Sequence, residues 1–164
     1  MDYQQSRAYI RDAEQYAGGA LDLTNIKEIM KRLGNPQDQL KYIHVAGTNG
    51  KGSVIAYLYT TLMKAGYHVG RYISPSVYSY REKIETEGKP ISREKFAEQT
   101  TRVAAVIEEM TAEGLAHPTP FEIETAVAFL FFAEEKCDPV ILEVGMGGIT
   151  DATNLIGTTE LAVL

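Results

Sequence analysis

The apolar positions fall into short, largely apolar runs and into longer segments, where apolar residues either recur every three or four positions or are almost continuous. The short runs predict buried strands, at residues 42–46, 69–73 and 139–144. The longer segments predict helices, after Ser53 and over residues 93–113 and 120–132. A last apolar run, at residues 161–164, predicts the beginning of another buried strand. Strands that alternate with helices predict an α/β fold with a mostly parallel sheet flanked by helices.

Polar residues with capping chemistry mark the predicted helix starts. Thr24 and Ser92 are the predicted N-caps of two helices, because their hydroxyls can accept from free backbone N–H groups. Thr119 and Glu122 have the spacing of a capping box, and a proline fills the first helical turn between them. Residues 84–91 predict a small hairpin or an excursion at the sheet edge.

The segment between the first predicted strand and its helix has the chemistry of a phosphate-binding loop. It reads Gly47-Thr48-Asn49-Gly50-Lys51-Gly52-Ser53. Glycines let backbone amides curl around an anion, Lys51 can neutralise the outer phosphates, and the Ser53 hydroxyl can reach a magnesium ion. The spacing departs from the GxxxxGK[ST] pattern, and a glycine-rich turn with a surface lysine is the alternative. We predict that the segment binds phosphate.

Glu143 is the second candidate, because it is a carboxylate inside an otherwise apolar strand. Such a group is costly unless a cation or hydrogen-bond donors satisfy it. It lies near the strand's carboxyl end, where it could face the same crevice as Lys51, and a role as magnesium ligand follows. The alternative is a carboxylate that only hydrogen-bonds to nearby amides. We predict that Lys51 and Glu143 are the catalytic pair.

Other residues allow two interpretations each. Asp151 and Asn154 follow a second glycine-rich turn at residues 145–148, where they either bind a polar ligand or stabilise the turn, and the sequence slightly favours the turn. His44 lies in the first strand and is expected to be a hydrogen-bonded core histidine. Four aromatic residues are either core or a stacking surface for a planar heterocycle: Tyr72, Tyr78, Tyr80 and Phe121.

Composition narrows the class of protein. The 164 residues are 45% hydrophobic and 23% charged, which is typical of one globular domain. The net charge of −6 argues against general nucleic-acid binding. Cys137 is the single cysteine, so no intrachain disulfide can form. The sequence shows neither a signal peptide nor a membrane-spanning apolar run, and we expect a cytoplasmic protein without membrane or nucleic-acid partners.

The two glycine-rich segments together resemble the signatures of a known family. The first is the loop at residues 47–53, and the second reads Glu143-Val144-Gly145-Met146-Gly147-Gly148, followed by Asp151-Ala152-Thr153-Asn154. This pairing resembles folylpolyglutamate synthases, a family that includes bacterial bifunctional dihydrofolate synthases and belongs to the Mur ligase superfamily. The resemblance spans nearly the whole chain. It implies a P-loop NTPase-like sheet, that of the central ATPase domain of Mur ligases, in truncated form.

The resemblance also implies an activity and assigns residues to it. The activity is ATP-dependent amide formation between glutamate and the carboxylate of dihydropteroate or a folate, through an acyl phosphate. By resemblance, residues 47–53 bind ATP, and the ligands of Mg²⁺ are Ser53, Ser74 and Glu143. The residues that would face the pterin are Thr119, Phe121, Glu122, Thr150, Asp151 and Ala152. A monomer is expected.

The chain departs from the family at two positions and in length. The family commonly has arginine where this chain has Ile149, and often histidine where it has Ser76. Family enzymes also continue well past residue 164, so residues 1–164 are expected to be an incomplete N-terminal ATP-binding domain without the C-terminal glutamate ligase domain, and inactive alone. A small-molecule kinase and a non-catalytic nucleotide-binding module remain the alternative functions.

Overall fold

A computed structural model describes residues 1–18 and 22–164, and in this part of the chain one mixed sheet carries helices on both faces. The strands are β1 (Tyr42–Val45), β2 (Gly70–Tyr72), β3 (Ile84–Thr86), β4 (Lys89–Pro90), β5 (Val140–Glu143) and β6 (Thr159–Val163). The α-helices are α1 (Tyr3–Asp12), α2 (Thr24–Arg32), α3 (Lys51–Lys64), α4 (Arg93–Ala112) and α5 (Pro120–Glu134). Short 3₁₀ helices are Ala13–Tyr16, Pro36–Gln39, Tyr80–Lys83 and Ala152–Leu155.

The sheet has the strand order β4-β3-β2-β5-β1-β6. Strands β2, β5, β1 and β6 are parallel, and β3 and β4 extend the sheet as an antiparallel hairpin. The predicted α/β class and the predicted hairpin over residues 84–91 are both confirmed. Strands β1 and β2 are parallel but not neighbours, because β5 lies between them. The carboxyl ends of β1, β2 and β5 therefore meet at one edge of the sheet.

Two cores hold the layers together. On one face, α5 is buried along nearly its whole length and packs with α4 and α1 against side chains of β5 and β2, with Phe129 and Phe132 fully buried. On the other face, Ile55 and Tyr59 of α3 pack against β1 and β5. Each large apolar side chain buried in this way contributes roughly 1.5–3 kcal/mol. The cores fix the end of β1 and the start of α3, which enclose the glycine-rich loop.

The helix starts agree with the predicted capping residues at two of three places. The Ser92 hydroxyl accepts from the N–H of Lys95, and Thr119 and Glu122 form the reciprocal capping box of α5. The prediction for Thr24 is wrong, because Thr24 is already the first residue of α2. Its N–H donates instead to Oδ1 of Asp22 at 2.8 Å, so a carboxylate two residues upstream satisfies this amide.

Strand β6 forms where predicted but is not buried. The strand lies at the edge of the sheet and pairs only with β1 among the described strands, so its residues Thr159, Glu160 and Leu161 are exposed. Of the helices that the structure describes, none combines the length and the apolar character needed to cross a membrane.

Candidate nucleotide and ligand site

The glycine-rich loop connects the carboxyl end of β1 to the amino end of α3. Gly50 is the N-cap of α3 with φ +79°, and Gly47 has φ +136°, backbone angles that side chains with a Cβ rarely adopt. Nothing lies within 4 Å of a Cβ built on Gly50 or Gly52, so the loop is open to an approaching group. Lys51 is the first helical residue, and its Nζ donates to the carbonyl oxygen of Gly47 at 3.0 Å. The loop thus presents a helix N-terminus and one ammonium group.

Glu143 ends β5 beside this loop. Its side chain is only 9% exposed, and its Oε1 lies 3.8 Å from Nζ of Lys51. The backbone N–H of Ser74 donates to the other carboxylate oxygen, Oε2, at 2.9 Å. Glu143 therefore faces both the Lys51 ammonium group and a backbone amide. The hydrogen bond to the amide agrees with the second interpretation of Glu143, and its role as a magnesium ligand stays a prediction. The structure brings Lys51, Glu143 and Ser74 together at the carboxyl ends of three strands.

The proposed magnesium ligands are chemically suited to that ion. Ser53 and Ser74 offer hydroxyl oxygens, and Glu143 offers one carboxylate. Mg²⁺ prefers such oxygen donors and keeps several waters or phosphate oxygens in its shell, so a single carboxylate is sufficient. In residues 1–18 and 22–164 no group of three His, Cys, Asp or Glu side chains is gathered to hold a metal. The donor set fits magnesium better than zinc.

A cavity of about 420 Å³ opens beside Ser74. All six residues predicted to face a pterin line it, namely Thr119, Phe121, Glu122, Thr150, Asp151 and Ala152. They come from the start of α5 and from the second glycine-rich turn with the 3₁₀ helix behind it. Ser74 lines the cavity as well and also contacts Glu143. Through Glu143, which lies 3.8 Å from Nζ of Lys51, Ser74 connects the cavity to the glycine-rich loop.

Aromatic residues contribute to the cavity less than their number in the sequence suggests. Phe121 lines it and stacks on Tyr72, with ring centroids 6.1 Å apart and an interplanar angle of 23°. Tyr72 is fully buried, and burial raises the pKa of its phenol well above the usual value. Tyr80 instead packs against Phe96 and donates to Glu124, whereas Tyr78 is 94% exposed. Of the four candidates, only Phe121 lines the cavity.

The polar side chains of the cavity are held in place by the chain itself. Glu122 accepts from the N–H and the hydroxyl of Thr119 at 2.8 and 2.9 Å. Asp151 is buried, and its Oδ2 accepts from the N–H of Met146 at 2.7 Å while its Oδ1 accepts from the N–H of Thr153 at 3.0 Å. Asp151 therefore stabilises the second glycine-rich turn, as the sequence favoured, and lines the cavity too.

Several residues of the site were not among the predicted site residues. Asp22 and Met146 line the cavity, yet one lies far upstream and the other is an apolar residue between glycines. Glu82 accepts from the backbone N–H groups of Val77, Tyr78 and Ser79, which orders the loop after Ser74. These three hydrogen bonds lower the pKa of the Glu82 carboxyl. Only the serine and the glutamate three residues apart, at 79 and 82, hint at this capping role.

A glycine-rich loop at a helix N-terminus, beside a buried acidic strand end, is an arrangement typical of α/β domains that bind phosphate. Comparison with known proteins places it more narrowly. The chain belongs to the folylpolyglutamate synthase and dihydrofolate synthase family. No family model matches the chain, so the assignment depends on individual relatives and solved structures.

The relatives agree in both sequence and structure. The dihydrofolate synthase/folylpolyglutamate synthase of Bacillus subtilis is 41% identical over 155 residues, which cover 94% of this chain and 36% of that protein. The folylpolyglutamate synthase of Thermotoga maritima superposes with a TM-score of 0.86 at 37% identity, over 94% of this chain and 36% of that one. A complex of a folylpolyglutamate synthase (FPGS) with AMPPCP and folate gives 0.88 at 36% identity, over 95% and 38%. The chain thus spans little more than a third of these relatives.

Proposed function

We propose that this chain supplies the nucleotide-binding and pterin-binding part of an ATP-dependent ligase, which joins glutamate to the carboxylate of dihydropteroate or a folate. The observation that carries this proposal is the position of Ser74. Its N–H donates to Glu143 beside Lys51, and the residue also lines the cavity. A phosphate at the loop and a substrate in the cavity would therefore be neighbours. Residues 1–164 would form the ATP-binding domain, and the glutamate-binding domain would lie elsewhere in the protein.

The nucleotide would bind at the loop by its phosphates. Backbone amides at the start of α3 and the Lys51 ammonium would face the phosphate oxygens, the arrangement that stabilises negative charge at a helix N-terminus. Mg²⁺, when bound by Ser53, Ser74 and Glu143, would neutralise charge on the transferred phosphoryl group. Without a nucleotide, the ammonium group of Lys51 lies near the Glu143 carboxylate and donates to the carbonyl oxygen of Gly47. These contacts keep Lys51 pointed into the crevice.

The second substrate would bind in the cavity with its ring near Phe121 and Asp151. The ring of Phe121, supported from behind by Tyr72, offers a flat apolar face. Oδ2 of Asp151 accepts a single hydrogen bond from the described residues, at Met146, and keeps one position for an N–H donor of a pterin. The FPGS structure that contains folate and AMPPCP together supports this pairing of ligands.

The reaction then has two steps. A carboxylate oxygen of the pterin substrate attacks the γ-phosphorus of ATP, which gives an acyl phosphate and ADP. The amine of glutamate attacks the acyl carbon, phosphate leaves, and an amide forms with loss of the amine proton. Lys51 would stabilise the charge of the first step, because a fixed cation acts strongly in a crevice that excludes water. The residues of the cavity would orient the carboxylate that attacks.

We also infer that the protein works as a monomer in the cytoplasm on small molecules, without nucleic-acid or membrane partners. The net charge of −6 supports the absence of nucleic-acid and membrane partners, because nucleic acids and anionic lipid surfaces attract basic proteins. Light scattering of the purified protein would test the monomer, and a stable dimer would contradict it.

Binding of AMPPCP with and without Mg²⁺, followed by calorimetry, tests the nucleotide half. Lys51→Ala should abolish measurable binding, and Glu143→Gln should remove the dependence on Mg²⁺. Lys64→Ala is the matched control, because Lys64 is an exposed lysine at the opposite end of the same helix. Equal affinity in the Lys51 and Lys64 variants would refute the phosphate role of the loop.

Enzymatic turnover tests the proposed ligase activity. It is measured in the protein that contains both substrate-binding domains. ADP release should require both the pterin substrate and glutamate, and the product should be an amide. Phosphorylated product without glutamate would indicate the kinase alternative. Tight AMPPCP binding with no turnover under any substrate combination would indicate a nucleotide-binding module.

A further inference from the structure

A chain of hydrogen bonds connects β1 to the cavity through two buried or half-buried side chains. The Thr153 hydroxyl lies 2.5 Å from Oδ1 of Asp151, and Nε2 of His44 lies 2.8 Å from the same hydroxyl. Thr153 is fully buried, and Asp151 is 5% exposed. His44 and Thr153 are 109 residues apart in sequence. The contact therefore exists only in the folded chain.

The chemistry of the three groups determines which atom donates in each hydrogen bond. A carboxylate oxygen can only accept, so the single hydrogen of the Thr153 hydroxyl is donated to Asp151. The hydroxyl oxygen must then accept from His44, which places a hydrogen on Nε2 of that ring. Burial lowers the pKa of His44, although the Asp151 carboxylate opposes the shift, so the ring is neutral at pH 7 and Nδ1 carries no proton.

This chain of hydrogen bonds leaves the carboxylate of Asp151 with one defined free position. Oδ1 accepts from both the N–H and the hydroxyl of Thr153, which fills its two acceptor positions. Oδ2 accepts from the N–H of Met146 and lies against Gly145, where a built Cβ would be 3.1 Å away. Rotation of the carboxylate would break contacts on both oxygens.

We propose that His44 and Thr153 are positioning residues that hold Asp151 so that Oδ2 accepts an N–H donor of the ring bound in the cavity. This rests on the proposed function, because it concerns the same cavity. The role is specific to the ligand in the cavity. His44 lies three residues before Gly47, but its contact runs to the opposite side of the sheet from α3. The affinity for the nucleotide should therefore not depend on it.

The test uses Thr153→Val, which keeps the shape of the side chain and removes the hydroxyl, and Thr153→Ser, which keeps the hydroxyl. Calorimetry of the chain with folate should give binding about tenfold weaker for the valine variant and within about twofold of wild type for the serine variant. AMPPCP affinity should stay within about twofold for both. Equal folate affinity in all three proteins, or an equal loss in both variants, would overturn the inference and leave the proposed function intact.

A spectroscopic measurement tests the chain of hydrogen bonds without any ligand. Long-range ¹H–¹⁵N correlation spectra report which ring nitrogen of a histidine carries the hydrogen, and wild type should show His44 protonated on Nε2. In Thr153→Val the Nε2 hydrogen should exchange faster with water, and in Thr153→Ser it should remain protected. A hydrogen on Nδ1 would overturn the inference. Wild type that binds AMPPCP but not folate would instead refute the proposed substrate class, and with it the role given to Asp151.

Discussion

Gly145→Ala should disturb the cavity because a methyl group has no room at that position. A Cβ built on Gly145 lies 2.8 Å from Cζ and 3.2 Å from Cε2 of Phe121, and 3.1 Å from Oδ2 of Asp151. Carbon atoms in favourable contact are about 3.5–4.0 Å apart. The ring of Phe121 must therefore retreat by about 0.7–1.2 Å, and this would disturb its stacking on Tyr72.

The expected result has two components. Overpacking of this kind costs about 1–3 kcal/mol of unfolding free energy. The displaced ring and carboxylate should also weaken folate binding by at least about tenfold, roughly the loss of one well-made hydrogen bond. Denaturant unfolding measures the first component, and calorimetric titration with folate measures the second.

A second glycine separates these components. A Cβ built on Gly70 lies 2.7 Å from Cδ1 of Phe132 and 3.2 Å from Sγ of Cys137, a comparable clash outside the cavity. Gly70→Ala should lose similar stability yet retain folate affinity within about twofold once folded. If both variants weakened folate binding equally, or neither did, the contact between Gly145, Phe121 and Asp151 would not be what shapes the site.

Three further predictions concern stability and reactivity. The ammonium group of Lys83 lies 2.8 Å from the Glu124 carboxylate and is only 16% exposed, so Glu124→Leu leaves it without its carboxylate partner. Urea unfolding should show a loss of about 3 kcal/mol in the free energy of unfolding, and adding Lys83→Met should restore part of it. No recovery in the double variant would contradict a buried ion pair. Burial raises the pKa of Cys137 to about 12, so this thiol should react with a disulfide reagent at pH 8 only as fast as the chain unfolds, and immediate labelling of folded protein would refute its burial. Thr119→Ala should lower stability by about 1 kcal/mol through the capping box of α5, whereas Thr119→Ser should lose much less, and equal losses would show that the hydroxyl is not the cap.

Features encoded within a few neighbouring residues could be predicted from sequence. The caps at Ser92 and Thr119 depend on side chains that bond to the neighbouring backbone. The loop at residues 47–53 depends on the backbone freedom of its glycines, and the hairpin after Ile84 on the pairing of neighbouring strands. The predicted start of α2 was wrong because two nearby residues, Asp22 and Thr24, both have side chains that can cap a helix. Only the surrounding backbone decides which of them satisfies the free amide.

Features that depend on strand order could not be predicted. The shared crevice of Glu143 and Lys51 was expected from the strand ends, but the position of β5 between β1 and β2 was not, nor was the hydrogen bond from the Ser74 N–H to Glu143. The contact of His44 with Thr153 crosses 109 positions and has no local pattern. Strand β6 is apolar enough to suggest burial, but its exposure is decided by its place at the sheet edge.

The two glycine-rich segments need glycine for different physical reasons, and the difference separates the roles proposed for them. Around Gly50 a Cβ would meet nothing within 4 Å, so the residue is required by its left-handed backbone and the space beside it remains open. At Gly145 the backbone is ordinary, and the residue is required because Phe121 and Asp151 already occupy the space of a side chain. An open loop suits a flexible, highly charged group such as a triphosphate, which brings its own oxygens to free amides. A turn packed against fixed side chains suits a rigid ring that must fit a preformed surface. Ser74 bonds to Glu143, which lies beside Lys51 of the open loop, and it also lines the cavity next to the packed turn. In the proposed reaction the phosphoryl group would therefore come from the ligand at the loop, and the atom that accepts it would belong to the ligand in the cavity.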